Sequence, residues 1–213
     1  MNILADIFRD LTMLLIIINV FVYALTYKKN RNTLTYNIFS LYLLYSIMIN
    51  MAVITLAFFK ENNLFLSHYY FILQFIILSL FYKTLLKKNQ QRFVTFFFIP
   101  VITILTIQYA TSPELYFKFN TTEVFITCFP IIVYSMIHLY NSLNKPPKYM
   151  YINIGVLIYL TTSTLIFILG DYLTSSGNRF ANNIWLINKV LYVVYLLLIF
   201  TEWWKNFRVI KNK

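Results

Sequence analysis

Apolar residues run through this chain in seven blocks of about twenty, each closed by a short polar link. A helix rises about 1.5 Å per residue, so roughly twenty residues cross a hydrocarbon core. The blocks lie at approximately 8–27, 36–59, 64–86, 93–111, 121–142, 150–172 and 183–204, and each predicts a spanning helix. The links contain KKNRN, KENN, LKKNQQR, TSPELYFKFN, NSLNKPPK and LTSSGNRFAN, too short to hold a further domain. The expected fold is therefore all-α, one seven-helix membrane bundle over residues 1–213.

Composition agrees with the pattern. Of 213 residues, 60% are hydrophobic and only 12% charged, where a soluble domain carries about 25% charged residues. One cysteine, Cys128, excludes an internal disulfide framework and a cysteine-based metal site. A net charge of +11 raises the question of nucleic acid. The basic residues answer it, because they cluster at the ends of apolar blocks; the expected partner is the lipid bilayer, with no nucleic acid.

The same clusters give a direction. Lys28, Lys29 and Arg31 follow block 1, and Lys83, Lys87, Lys88 and Arg92 follow block 3. Lys145 and Lys148 follow block 5, and Lys205, Arg208, Lys211 and Lys213 follow block 7. The opposite side has Arg9, Lys60, Lys118 and Arg179, so thirteen positive residues face four. Positive charge is retained on the cytoplasmic side, which predicts an exported N-terminus and a cytoplasmic C-terminus in a bacterial inner membrane. Block 1 has Asp6 and Asp10 before it and the basic cluster after it, the wrong flanks for a cleaved signal peptide.

With depth assigned, the polar residues inside the blocks gather toward the outer half. An ionisable group at mid-span costs roughly 2.5–3.5 kcal/mol on insertion scales. Asp10, His68, Glu123, Asp171 and Lys189 all fall in that outer layer, with Tyr70, Gln74 and Asn188 level or slightly deeper. Together they predict a polar cavity opening outward, in which Lys189 pairs with Asp171 or Glu123. The bland alternative is that residues near an interface reach water without any function.

Several chemistries fail on the residues themselves. A retinal Schiff base needs a facing carboxylate, and block 3 has none between Leu64 and Tyr82. Zinc wants three or four ligands; the two histidines, His68 and His138, are expected at opposite faces, with no HxxxH or HxxE spacing. No nucleophile elbow or phosphate-binding glycine loop occurs. A three-plus-one-plus-three transporter would repeat its helix breakers, yet Pro130 and Gly155 have no counterparts in blocks 1 and 2. No metal and no cofactor is implied.

Two stretches carry a resemblance: NNLFLSHYYFILQFIILSLFYKTLL (62–86), and YINIGVLIYLTTSTLIFILGDYL (151–173) followed by IWLINKVLYVVYLLLIFTEWWK (184–205). They resemble an uncharacterised family of small seven-helix integral membrane proteins of Bacteroidetes. The likeness rests on Asn63, His68, Tyr70, Asn153, Gly155 and Trp185. The family pattern implies an acid where this chain has Gln74 and a histidine where it has Asn188, so a His/Glu/His site would have lost two of its three groups. A weaker similarity, through Leu64–Phe71 and Gly170–Asp171, is to lysoplasmalogenase-like membrane enzymes.

Three functions remain open on these grounds. The first is a small sensor or ligand-binding protein that takes a small or lipid-derived molecule from the outer side and contacts a cytoplasmic signalling partner. The others are an assembly subunit without a ligand, and an enzyme acting on lipid head groups with His68 and Asp171 as acid and base.

Overall fold

The protein is represented by a computed structural model that describes residues 3–143, 147–175 and 180–208, and within them the side chains other than those at 3, 5, 171–175 and 180–183. Seven α-helices follow the apolar blocks: α1 (Ile3–Asn30), α2 (Leu34–Phe58), α3 (Phe65–Leu85), α4 (Gln91–Thr111), α5 (Thr121–Asn141), α6 (Met150–Ser175) and α7 (Phe180–Glu202). A short 3₁₀ turn, Pro113–Phe117, bridges α4 and α5, and α7 ends in a π turn, Trp203–Phe207. Among the described residues there is no strand. All seven helices are long and apolar enough to cross a membrane, which makes this a multi-pass membrane protein by helix length and composition.

Six helices close into a ring. Each of α1, α2, α3, α5, α6 and α7 packs on the next, and α7 returns to α1. α4 lies outside the ring, against α3 and α5. Its sequence explains the exclusion: its buried residues are Val94, Val101 and Leu105, one narrow stripe at spacings of seven and four. α3 instead buries ten residues, including His68, Gln74 and Tyr82, on more than one side. The N-terminal face of the bundle holds the start of α1, the α2–α3 and α4–α5 links and the start of α7. The C-terminal face holds the α1–α2 and α3–α4 links and the end of α7.

Aromatic rings fill the ring's interior, and their hydroxyls tie the helices together. Tyr36 donates to the carbonyl of Tyr23 at 2.6 Å, and its oxygen lies 2.7 Å from that of Thr26. The Trp203 indole in turn donates to Thr26 at 3.1 Å, so α1, α2 and the end of α7 meet there. Deeper, Tyr82 of α3 donates to the Asn153 amide oxygen at 2.8 Å, and Ser135 of α5 donates to the same oxygen at 2.9 Å. A polar group in hydrocarbon must find its partner inside the protein. These knots meet that demand.

Glu202 meets it differently. Its side chain is wholly buried at the end of α7, yet it caps another helix. The backbone N–H groups of Tyr149 and Tyr151, at the start of α6, donate to Oε1 at 2.6 Å and Oε2 at 2.9 Å, and Asn206 adds a further bond at 2.6 Å. A carboxylate at a helix N-terminus satisfies orphan donors and opposes the helix dipole. Tyr149 holds φ at 70° to turn the chain into that cap. Burial, and then the Glu202 carboxylate beside it, push the Tyr149 phenol well above its usual range.

Gly155 lets α6 pack close against Tyr195 and Leu198 of α7. A Cβ there would stand 2.7 Å from Cδ2 of Tyr195, whose ring stacks on Tyr159 at 5.4 Å. Gly155→Ala must displace that ring or the helix carrying it. Overpacking of this kind costs about 1–3 kcal/mol, read as a lower unfolding temperature in detergent. Glu202→Gln keeps the shape but replaces an acceptor with a donor facing a backbone N–H. The loss of a charge-assisted bond predicts about 2 kcal/mol of destabilisation in the same assay.

Candidate functional site

Two polar assemblies occupy the N-terminal half of the bundle, and both draw residues from α3. The first is built around His68, in the first turn of α3, and Glu123, in the first turn of α5. Asn120 is the N-cap of α5 and accepts from the Glu123 backbone N–H at 3.2 Å, an arrangement that fixes where the acid begins its helix. His68 Nδ1 lies 3.0 Å from Glu123 Oε2. The hydroxyl of Tyr109, from the last turn of α4, lies 2.7 Å from the same nitrogen and donates to the same carboxylate oxygen. Asn120 Nδ2 reaches the Tyr109 oxygen at 3.4 Å.

Proton positions follow from the partners. His68 Nε2 faces the carbonyl oxygen of Tyr116 at 3.2 Å, which can only accept, so Nε2 carries a hydrogen. Nδ1, Oε2 and the Tyr109 hydroxyl then meet as one cluster, in which buried polar groups from three helices satisfy one another. His68 is 4% exposed and Glu123 1%. Both ring nitrogens are engaged, and the assembly joins α3, α4, α5 and the 3₁₀ turn.

The second assembly is a pair of adjoining cavities. They share four lining residues: Asn50 and Val53 of α2, Tyr159 of α6 and Tyr192 of α7. One, of about 370 Å³, extends along Ser67, Tyr70 and Phe71 of α3 to Phe119 and Phe167. The other, of about 310 Å³, extends to Arg9 and Met13 of α1 and to Asn188 and Lys189 of α7. Aromatic walls with a few polar groups at one end make a site for an amphipathic molecule. Among the described residues the Asn188 amide oxygen is buried without a hydrogen-bond partner.

The residues singled out in the sequence thus divide into groups. Tyr70, Asn188 and Lys189 line the cavities. His68 and Glu123 pair with each other, away from that lining. Gln74, 1% exposed, lies deeper and donates weakly to the Tyr42 hydroxyl at 3.5 Å. Asp10 sits on the exposed side of α1 and bonds Arg9 at 3.0 Å, with Asp6 on the same guanidinium. Asp171 lies outside the described side chains. Tyr109, Tyr159 and Tyr192 are members that sequence reasoning missed. The N-x-x-E spacing of Asn120 and Glu123 was a readable capping signal; tyrosines at helix ends look like interfacial anchors. Among the described residues no three His, Cys, Asp or Glu side chains converge as metal ligands.

No protein-family model, curated protein or solved structure matches the chain. The functional reading therefore rests on geometry.

Removing one partner of a buried pair strands the other, at about 3–5 kcal/mol. Glu123→Ala and His68→Ala are each expected to destabilise the protein on that scale. The double variant should lose clearly less than the sum of the two, measured as a double-mutant cycle of unfolding free energies.

Proposed function

We propose that this protein is a small seven-helix ligand-binding sensor of a bacterial inner membrane, with its N-terminus outside and its C-terminus in the cytoplasm. Its ligand is a small or lipid-derived amphipath entering from the outer side. The observation that carries the reading is the pair of adjoining cavities sharing Asn50, Val53, Tyr159 and Tyr192. The apolar part of the ligand lies along Phe71, Phe167 and the tyrosines, and its polar part meets Asn188, Lys189 and Arg9. Distribution of Lys and Arg supports the orientation, and the basic C-terminal face offers contacts for a cytoplasmic signalling partner. Membership of the Bacteroidetes family is part of the proposal, on the residues that carry the resemblance.

A lipid-head-group enzyme is less well supported. His68, its required acid or base, has both nitrogens occupied and is not among the residues that line the cavities. Its role here is to hold three helices together around the N-terminal face.

Val53 tests the site because it lines both cavities. Val53→Trp fills the shared space, and a ligand that must compete with the indole loses about 1–3 kcal/mol, roughly a ten- to hundredfold drop in retention. Protein purified from its own membrane in mild detergent is extracted and the extract weighed by mass spectrometry. A lipid-derived species held by the wild type and lost from Val53→Trp is the expected outcome. Identical extracts from the two proteins would overturn the proposal.

A further inference from the structure

A second concavity pair lies at the opposite face and differs in character. The α3–α4 link is short, running from Leu86 to Gln90, and it folds three cations toward one hollow. Lys83 comes from the last turn of α3, Lys88 from the link and Arg92 from the first turn of α4; with Asn89, Gln91 and Thr95 they line about 320 Å³. Arg92 and Thr95 also line an adjoining groove along α4 that continues over Phe96, Ile99 and Pro100. Polar hollow and apolar groove therefore meet end to end, from the helix terminus toward the middle of the span.

The charges in the hollow are unmatched. None of the ion pairs among the described residues involves Lys83, Lys88 or Arg92. Like charges converging on one concavity repel each other, and the first turn of α4 adds the positive end of a 21-residue helix to the same place. An anion relieves all of these at once. Phosphate suits the set, since a guanidinium fork and two ammonium groups offer it charge-assisted bonds. The groove decides the source: Phe96 and Ile99 are exposed by 68% and 62% along a helix that packs on the ring through one stripe only. An acyl chain lying there covers apolar surface that a free ion would leave bare.

We infer that this hollow and groove form a binding site for one anionic phospholipid, its phosphate held by Lys83, Lys88 and Arg92 and an acyl chain laid along Phe96, Ile99 and Pro100 of α4. The site is independent of the cavities at the N-terminal face. It also gives α4, the helix outside the ring, a third attachment besides α3 and α5.

Native mass spectrometry of the full chain, incubated in detergent with phosphatidylglycerol or with phosphatidylcholine, tests it. Wild-type protein should retain phosphatidylglycerol over phosphatidylcholine. The variant Lys83→Gln/Lys88→Gln/Arg92→Gln removes only exposed side chains, so the fold is expected to persist. It should lose roughly ten- to hundredfold in retention, each cation near a membrane surface contributing measurably to anionic-lipid binding. A control, Lys28→Gln/Lys29→Gln/Arg31→Gln, removes the same charge at the α1–α2 link and should retain the lipid. Equal loss in both variants, or no loss in the first, overturns the assignment. Displacement of the lipid by millimolar inorganic phosphate would overturn it as well, by showing that the groove contributes nothing.

Discussion

Every polar group that enters the hydrocarbon must be matched from within the bundle, and this constraint organises the whole molecule. Two carboxylates show how it works. Glu123 is matched by an imidazole and a phenol from two neighbouring helices. Glu202 is matched by backbone N–H groups at the start of a third. Each is buried near one end of the bundle, and each connects helices that van der Waals packing alone would leave free to slide. Between them the interior is aromatic, with the phenols of Tyr36 and Tyr134 donating to carbonyls and that of Tyr82 to an amide. Stability in this protein comes from pairing as much as from packing.

That pairing also divides the N-terminal half into a closed part and an open one. On the α4–α5 side of α3, His68 engages both ring nitrogens, one with Glu123 and Tyr109 and the other with the Tyr116 carbonyl. On the α2–α7 side, tyrosines and asparagines surround space. The first is a clasp and the second a receptacle.

Much of the fold was legible in the sequence because membrane thickness sets helix length. Seven apolar blocks became seven helices, with shifts of a few residues at their ends. Position along each helix was legible too, since His68, Glu123 and Lys189 all fall toward the N-terminal face of the bundle. Azimuth was not. The helices are apolar nearly all round, so periodicity scarcely distinguishes an inward stripe from a lipid-facing one. Thus Ser67, Tyr70 and Phe71 face the cavities while His68, one residue on from Ser67, turns to Glu123. Partners distant along the chain were equally hidden: nothing local in Glu202 announces a helix start 53 residues away. Tyr109 was passed over for a related reason, because a tyrosine in a last turn reads as an anchor until a carboxylate is found beside it.

The central claim is that the cavity at the N-terminal face opens to the outside of the cell. Thiol accessibility tests it most directly, since Cys128 is the chain's only cysteine and is buried. In a Cys128→Ser background, Asn188→Cys places a single thiol on the cavity wall. A membrane-impermeant maleimide added to intact spheroplasts should label that thiol, and Val53→Trp should slow the labelling. Labelling only after the membrane is breached would contradict the orientation, and none even then would contradict the cavity.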